Sequence, residues 1–452
     1  MSESNNIDPT ALTEIHDRDV SNLSKDRWHE RFAYVKAHDS YFDLHERAEY
    51  TRQTFNALYR HEPKLTSIHS ESRRCDPALW FDENRKARGG YALSGVTFAP
   101  GEANLVSRAG EVFGNRWRNA RPKGVPGDVS VWIRHAERMI PNPADREHVF
   151  DVMAFKRQHP NIKINHAVLH GGVPGSGKDT LWSPFLWSIG TEQNVNIEVV
   201  RHDEMAGAWG YILESEVLVI NELRQNEKMD KRGFENALKP VIAAPPEFLQ
   251  INRKHVHPYY ALNRILLLAV SNERAAISLP SDDRRWFVLW SDAPRMKDNE
   301  AAAIWNWYKD GGFAAVAAWL DARDVSAFMP GATPPVTDAK LQLIELAMSN
   351  AESYVTQMAQ DRVAEFERGV IATPLNLLAL RIVKNHRDAP KISKEAILVA
   401  LKEAGWIDRG YVCSRRYPSR RYVYVAPEHA ETPGSKLRDM LEAPLPALTV
   451  VK

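Results

Sequence analysis

Cysteine is nearly absent: the 452 residues contain only Cys75 and Cys413. Two thiols cannot make a disulfide scaffold, and a zinc ribbon needs about four sulfur ligands. An excess of either charge is lacking too. Lys and Arg number 59 and Asp and Glu 58, for a formal charge of +1. No global basic field exists to grip nucleic acid, so any such contact must come from a local patch. Long apolar runs are also missing. The longest, Ile265–Val270 (ILLLAV), falls far short of the ~20 residues of a membrane span. The polar, acidic start MSESNNIDPT carries no apolar signal core. The expectation is a soluble, cytoplasmic protein with no membrane contact.

What is present is ordinary globular material, 44% apolar and 26% charged. That suffices for more than one core and excludes wholesale disorder. About 150 residues per domain gives roughly three domains. Residues 1–130 read as a mixed, mostly helical region. Within it Asp43–Tyr59 places Leu44, Ala48, Thr51, Phe55 and Leu58 at helical steps, and from about 72 short apolar runs broken by Gly and Pro predict strands and turns. Across 131–295 helix-like and strand-like segments alternate, which predicts an α/β fold with a parallel sheet. A helical segment (296–336) ends in the Pro/Gly linker Pro330–Pro335. Residues 337–425 form a C-terminal helical module, and 426–452 read as a weakly ordered tail.

The sharpest local signal is HGGVPGSGKDT, His170–Thr180. A buried strand precedes it and a helix follows. Gly172, Gly175 and Gly177 free the backbone, so that the amides of Val173, Ser176 and their neighbours, around Pro174, can curl toward phosphate oxygens. The helix adds its positive end, and Lys178 a point charge for the β- and γ-phosphates. Gly172-x4-Gly177-Lys178 meets the spacing of a Walker A phosphate loop. The next position is Asp179, where Ser or Thr normally holds magnesium. Either Asp179 ligates Mg²⁺, which prefers oxygen, or Thr180 takes over. Pro184 should bend the helix.

Four apolar residues and a polar pair follow in Val217–Glu222 (VLVINE), the layout of a Walker B strand. Glu222 is then the group that orients the attacking water. Asn221 lacks the usual charge, which makes a metal contribution from Asp179 more credible. A further buried strand, Arg264–Asn272 (RILLLAVSN), delivers Asn272 to its end, where a neutral amide can bond the γ-phosphate or the water. In Leu279–Trp290 (LPSDDRRWFVLW), Arg284 or Arg285 can neutralise transition-state charge; alternatively they pair with Asp282 or Asp283.

The order GGVPGSGKDT, VLVINE, AVSN and LPSDDRRWF resembles superfamily 3 helicases, above all the helicase part of phage and plasmid primase–helicase proteins, over about a third of the chain. The resemblance implies a P-loop NTPase (AAA+-like) core, ATP and Mg²⁺, a homo-oligomeric ring (commonly a hexamer) and an arginine acting on the neighbour's nucleotide. It also implies single-stranded or forked DNA in a central channel, and a hairpin carrying Lys254 and His255 into that channel. A primase or another replication protein becomes a partner by the same resemblance, and a bacterial host cell the setting. No carboxylate-x-carboxylate pair follows an apolar strand near Asp43, Asp82 or Glu83, so the N-terminal region reads as a partner-binding or collar element rather than a primase. At the other end, Ser393 caps a helix that Gly405 stops. Tyr411–Val425 (YVCSRRYPSRRYVYV) is then a hairpin with Arg415, Arg416, Arg420 and Arg421. Helix then basic hairpin is a winged-helix-like pattern suited to DNA; the same arginines equally suit gatekeepers on a solvated edge strand.

Overall fold

The computed structural model describes residues 29–60, 65–67, 70–85, 92–190, 195–201, 212–223, 238–252, 258–274, 276–277, 279, 282–347, 350–386, 389–390, 392–412 and 421–442. The chain divides into two compact units, residues up to 277 with 283–341, and 278–282 with those from 342 onward. The division after Leu341 falls beyond Pro330–Pro335, where the Pro330 carbonyl accepts from Asn165 N at 2.8 Å.

The N-terminal residues of the first unit are built mainly from short strands. β1 (Phe32–Val35), β2 (Ser40–Asp43) and β3 (Glu49–Thr51) pair antiparallel, and α1 (Arg52–Tyr59) follows directly. This corrects the single helix expected over Asp43–Tyr59. Cross-strand pairing of Ser40 with Thr51 and Tyr41 with Tyr50 claims the first half of that segment. Thr51 then caps the helix, accepting from Thr54 N at 3.3 Å. Phe55 is buried and stacks on Tyr41 at 4.1 Å, whereas Leu58 is exposed. Helical periodicity held only where a cap and an aromatic core supported it. After α2 (Pro77–Arg85), β4 (Ala92–Leu93) joins β1 in parallel, and β5 (Gly95–Thr97), β6 (Leu105–Arg108) and β7 (Glu111–Asn115) make a second sheet in the order β5-β7-β6.

Two amphipathic helices, α3 (Ser130–Met139) and α4 (Pro143–Gln158), lead into the central sheet. Asn142 accepts from Ala144 N and Asp145 N, and Pro143 sits in the first turn of α4, where its missing N–H costs nothing. The sheet holds β8 (Ala167–Gly172), β9 (Ile197–Arg201), β10 (Val217–Asn221), β13 (Leu266–Ser271) and β14 (Trp286–Ser291), all parallel, in the order β9-β10-β13-β8-β14. Buried on both faces, its inner strands read as near-continuous apolar runs, as VLVI and LLLAV do. Between β10 and β13 an antiparallel hairpin projects, β11 (Phe248–Ile251) with β12 (Tyr259–Leu262). α5 (Lys178–Ile189) follows β8, and α6 (Asp298–Trp307) and α7 (Phe313–Ala322) follow β14.

Pro184 lies inside α5, which continues unbroken to Ile189. A proline cannot donate to the carbonyl four residues back. That carbonyl, of Thr180, instead accepts from the Tyr308 hydroxyl at 2.8 Å. One core side chain thus supplies the bond that the helix lost.

In the second unit α8 (Asn350–Gln360), β15 (Val370–Ile371), α9 (Leu375–Asn385), α10 (Lys394–Glu403), β16 (Ile407–Val412) and β17 (Arg421–Val425) follow in order, and the strands pair antiparallel as β15-β17-β16. Ser393 caps α10 as expected, accepting from Ala396 N at 3.1 Å, and Gly405 takes φ 74° beyond its end. The expected weak tail is ordered over 426–442: α11 (Gly434–Glu442) buries Leu437 and Leu441 against Val370, Val423 and Val425. Its two leucines four residues apart give it an apolar face that a low overall hydropathy hides.

Candidate active site

A cleft of about 530 Å³ opens at the C-terminal edge of the parallel sheet, where ligands of open α/β sheets bind, outside the strand order's reversal. The strand register explains why the sequence signals converge there. Gly171 lies level with Ser271 and Gly172 with Ser291, while Ile220 is level with Ala269. Strands starting in register end in register, so whatever follows each one faces the same opening.

The loop after β8 forms one wall. Gly175 and Gly177 adopt φ 73° and 109°, and a Cβ on Gly177 would meet Met296 Sδ at 2.5 Å and His135 Cε1 at 2.6 Å. Both conformation and space therefore require glycine there. The loop is pinned from behind by α3. His135 Nε2 donates to Gly177 O at 2.9 Å, and Arg138 donates to Ser176 O at 2.9 Å and to Pro294 O at 2.6 Å. Burial holds His135 below its ordinary pKa, favouring the neutral ring, with the Gly177 carbonyl opposing that shift. Beneath the loop His170 accepts from Trp182 Nε1 at 3.0 Å, and burial lowers its pKa to about 3.

Lys178 opens α5 at the bottom of the wall. Its ammonium donates to Gly172 O at 2.8 Å, Val173 O at 3.0 Å and Asn272 Oδ1 at 2.9 Å. Burial pushes its pKa down, opposed by the charge of Asp179. An ammonium can only donate, so Asn272 must present oxygen to Lys178, leaving its NH₂ as a donor. Asn272 is exposed in the cleft, one residue past β13. Glu222 stands one residue past Asn221, the end of β10, with φ 52°, a left-handed conformation that costs a non-glycine residue on the order of 1 kcal/mol. Ser271 sets the spacing between these two positions: its hydroxyl donates to Leu223 O at 2.6 Å, while Leu223 N donates to Val270 O at 2.9 Å. Asp179 is exposed and Thr180 buried, and both line the cleft with Pro174.

These oxygen donors suit a hard cation such as Mg²⁺. Among the described residues no group of three or more His, Cys, Asp or Glu makes a ready cage.

Arg284 and Arg285 are not in this cleft. They precede β14 at the opposite edge of the sheet, about 20 Å away for six residues at ~3.3 Å each. Nor are they neutralised by the neighbouring acids. Asp283 is buried, pairs with Lys340 at 2.9 Å and accepts from Arg285 N at 3.2 Å and Trp286 N at 3.0 Å. Asp282 pairs with Lys402 at 2.7 Å. Lys254, His255, Arg415, Arg416 and Arg420 lie outside the described residues, as does the Arg421 side chain; the β11–β12 hairpin brackets the first two.

Several cleft residues carry no sequence signal: Arg201 at the end of β9, and Arg295, Met296 and Asp298 after β14. His135 and Arg138, one helical turn apart on α3, are equally silent. An i, i+3 His/Arg pair is common on helix surfaces, and only the fold puts this one behind the loop.

A model of a family of unknown function, DUF5906, matches residues 169–285, from β8 to the two arginines. No curated protein matches the chain. Among solved structures, the apo structure of the NrS-1 C-terminal region (305–718) is similar at 15% identity and a TM-score of 0.60, covering 87% of this chain and 96% of that one. Its A form is similar at a TM-score of 0.57, with the same identity and coverage. The likeness is one of fold.

Proposed function

We propose that the chain is an ATP-hydrolysing DNA helicase or translocase of the kind that serves phage or plasmid replication in the bacterial cytoplasm. The observation that carries this reading is the convergence of the glycine-rich loop, Lys178, Glu222 and Asn272 on one cleft at the sheet edge. A phosphate-loop NTPase core needs those parts in that order. Gly172 to Gly177 would cradle the triphosphate with main-chain amides. Lys178 would exchange its carbonyl partners for phosphate oxygens. Glu222 would orient the attacking water and accept its proton, and Asn272 would donate its amide hydrogens to the γ-phosphate or that water. Asp179 and Thr180 are the candidate holders of Mg²⁺, which when bound neutralises charge on the phosphates. Arg284 and Arg285, far from their own cleft and without an ion pair among the described residues, fit action on a neighbour's nucleotide within a ring. That ring, a hexamer by resemblance, would encircle single-stranded or forked DNA. The DNA role and a primase or other replication partner rest on the resemblance of the motifs to superfamily 3 helicases. The helix–strand–helix–helix–hairpin order of the second unit supports a winged-helix-like module.

The test is phosphate release with and without single-stranded DNA, and strand displacement, by wild type, Lys178→Ala and Glu222→Gln. DNA-stimulated turnover should disappear in Lys178→Ala, and should fall at least a hundredfold in Glu222→Gln with ATP still bound. Unchanged unwinding by Lys178→Ala would refute the assignment. Turnover without strand separation would favour a loader or remodeller of another replication protein. Nucleotide binding with negligible wild-type turnover would favour a switched DNA-binding initiator.

A further inference from the structure

We infer that Arg295 is a second phosphate-binding cation of the cleft, supplied by the same subunit as Lys178. The inference rests on the nucleotide reading above and extends it to a residue outside every sequence motif. The connector from β14 to α6 carries it. Met296 N donates to Gly175 O at 3.0 Å, and Pro294 O accepts from Arg138, which also holds Ser176 O. Met296 Sδ fills the space above Gly177. Residues 294 and 296 are thus both fastened to the loop, directly or through one shared guanidinium. The Cα between them cannot move independently of the phosphate cradle.

From that fixed point the Arg295 side chain runs along the loop. A Cβ on Gly175 would lie 3.1 Å from Arg295 Cγ and 3.5 Å from Cδ and Nε. A side chain at 175 would make the arginine stem give by a few tenths of an ångström, and Arg295 itself lines the cleft. The acids on its own element are otherwise engaged. Asp292 pairs with Arg274 at 2.7 Å, and the Glu300 carboxylate accepts from Lys297 N at 3.3 Å. Asp298 lines the cleft as well, yet among the described residues Arg295 makes no ion pair with it or any other carboxylate. A planar five-donor guanidinium whose chain neighbours are tied to a glycine-rich loop, with no carboxylate partner among the described residues, is suited to bidentate phosphate contact.

Being in cis, Arg295 should act on nucleotide affinity in the isolated chain, unlike the arginines at the opposite sheet edge, which should act on turnover in the assembly. The experiment is titration of ATP and ADP by calorimetry on full-length wild type, Arg295→Ala, Arg295→Gln and Lys178→Ala, with thermal melts to confirm equal folding of the exposed Arg295 variants. The expected result is a roughly tenfold loss of affinity for both ATP and ADP in each Arg295 variant, shrinking as salt rises. Wild-type affinity in both Arg295 variants, beside a clear loss in Lys178→Ala, overturns the inference and leaves the nucleotide site standing. No uptake of either nucleotide by wild type overturns both.

Discussion

The two edges of the central sheet use the same chemical group for opposite ends. At the N-terminal edge Lys156 donates to Arg264 O at 2.6 Å, Lys163 to Val241 O at 2.6 Å and to Ile265 O, and Lys340 to Asp283 O at 2.8 Å. All three are buried, and each satisfies a carbonyl just ahead of a strand; Lys163 also bonds Val241 O in the helical turn at 238–242. At the C-terminal edge Lys178 is also buried and also bonds carbonyls, but it lines an open cleft together with its third acceptor, Asn272. A buried lysine is therefore not a functional signal in itself. What separates the two uses is whether a competing anion can reach the ammonium without unfolding the protein.

That contrast can be broken first at the arginines of the structural edge. If they serve a neighbour, Arg284→Ala or Arg285→Ala should cut DNA-stimulated turnover about a thousandfold while leaving ATP affinity unchanged. Mixing that variant with Lys178→Ala should restore part of the activity, because some interfaces then combine an intact cleft with an intact arginine. No restoration in mixed assemblies would place both edges in one subunit's service. A smaller effect should come from Lys163→Met. Two buried carbonyls lose their donor, so stability should fall by about 2–4 kcal/mol in urea titrations. ATP affinity of the folded fraction should hold. A loss of affinity with stability intact would mean that the structural edge talks to the cleft.

An effect of similar size concerns acid. His148 and His166 contact each other through Nε2 atoms 3.2 Å apart, and burial holds their pKa values at about 4 and about 3. Both lie below the ordinary 6.5, so the fold prefers the neutral rings and the unfolded chain takes up protons first. Their contribution is complete above pH 6.5 and is lost as pH falls toward 4 and then 3. The unfolding free energy from urea titrations should drop between pH 7 and pH 5, by up to about 1.4 kcal/mol per pH unit for each ring. The His148→Gln, His166→Gln double variant should flatten that slope; an unchanged slope would assign it to other groups.

The candidate site was legible where one short segment carries its own physics. Gly175 and Gly177 of the loop need unusual backbone freedom, and short apolar runs ending in Asn221–Glu222 and at Asn272 read as buried strands that deliver a polar tip. The N-terminal region was less legible. Helical spacing over Asp43–Tyr59 competed with a strand pairing that no local pattern announces, and the pairing won over 40–51. The tail helix was missed because its apolar face is only two leucines wide.

Sequence alone determined the parallel sheet, the glycine-rich loop after β8 and the residues at the ends of three strands, since each follows from local backbone preference and burial. Only the tertiary structure decided that His135 and Arg138 brace the loop, that Tyr308 repairs the bond Pro184 removes, and that Arg295 rather than Arg284 or Arg285 borders the chain's own cleft. Those contacts join residues from 38 to 156 positions apart. At such separations sequence spacing carries no geometric information, and only the register of the strands fixes who meets whom.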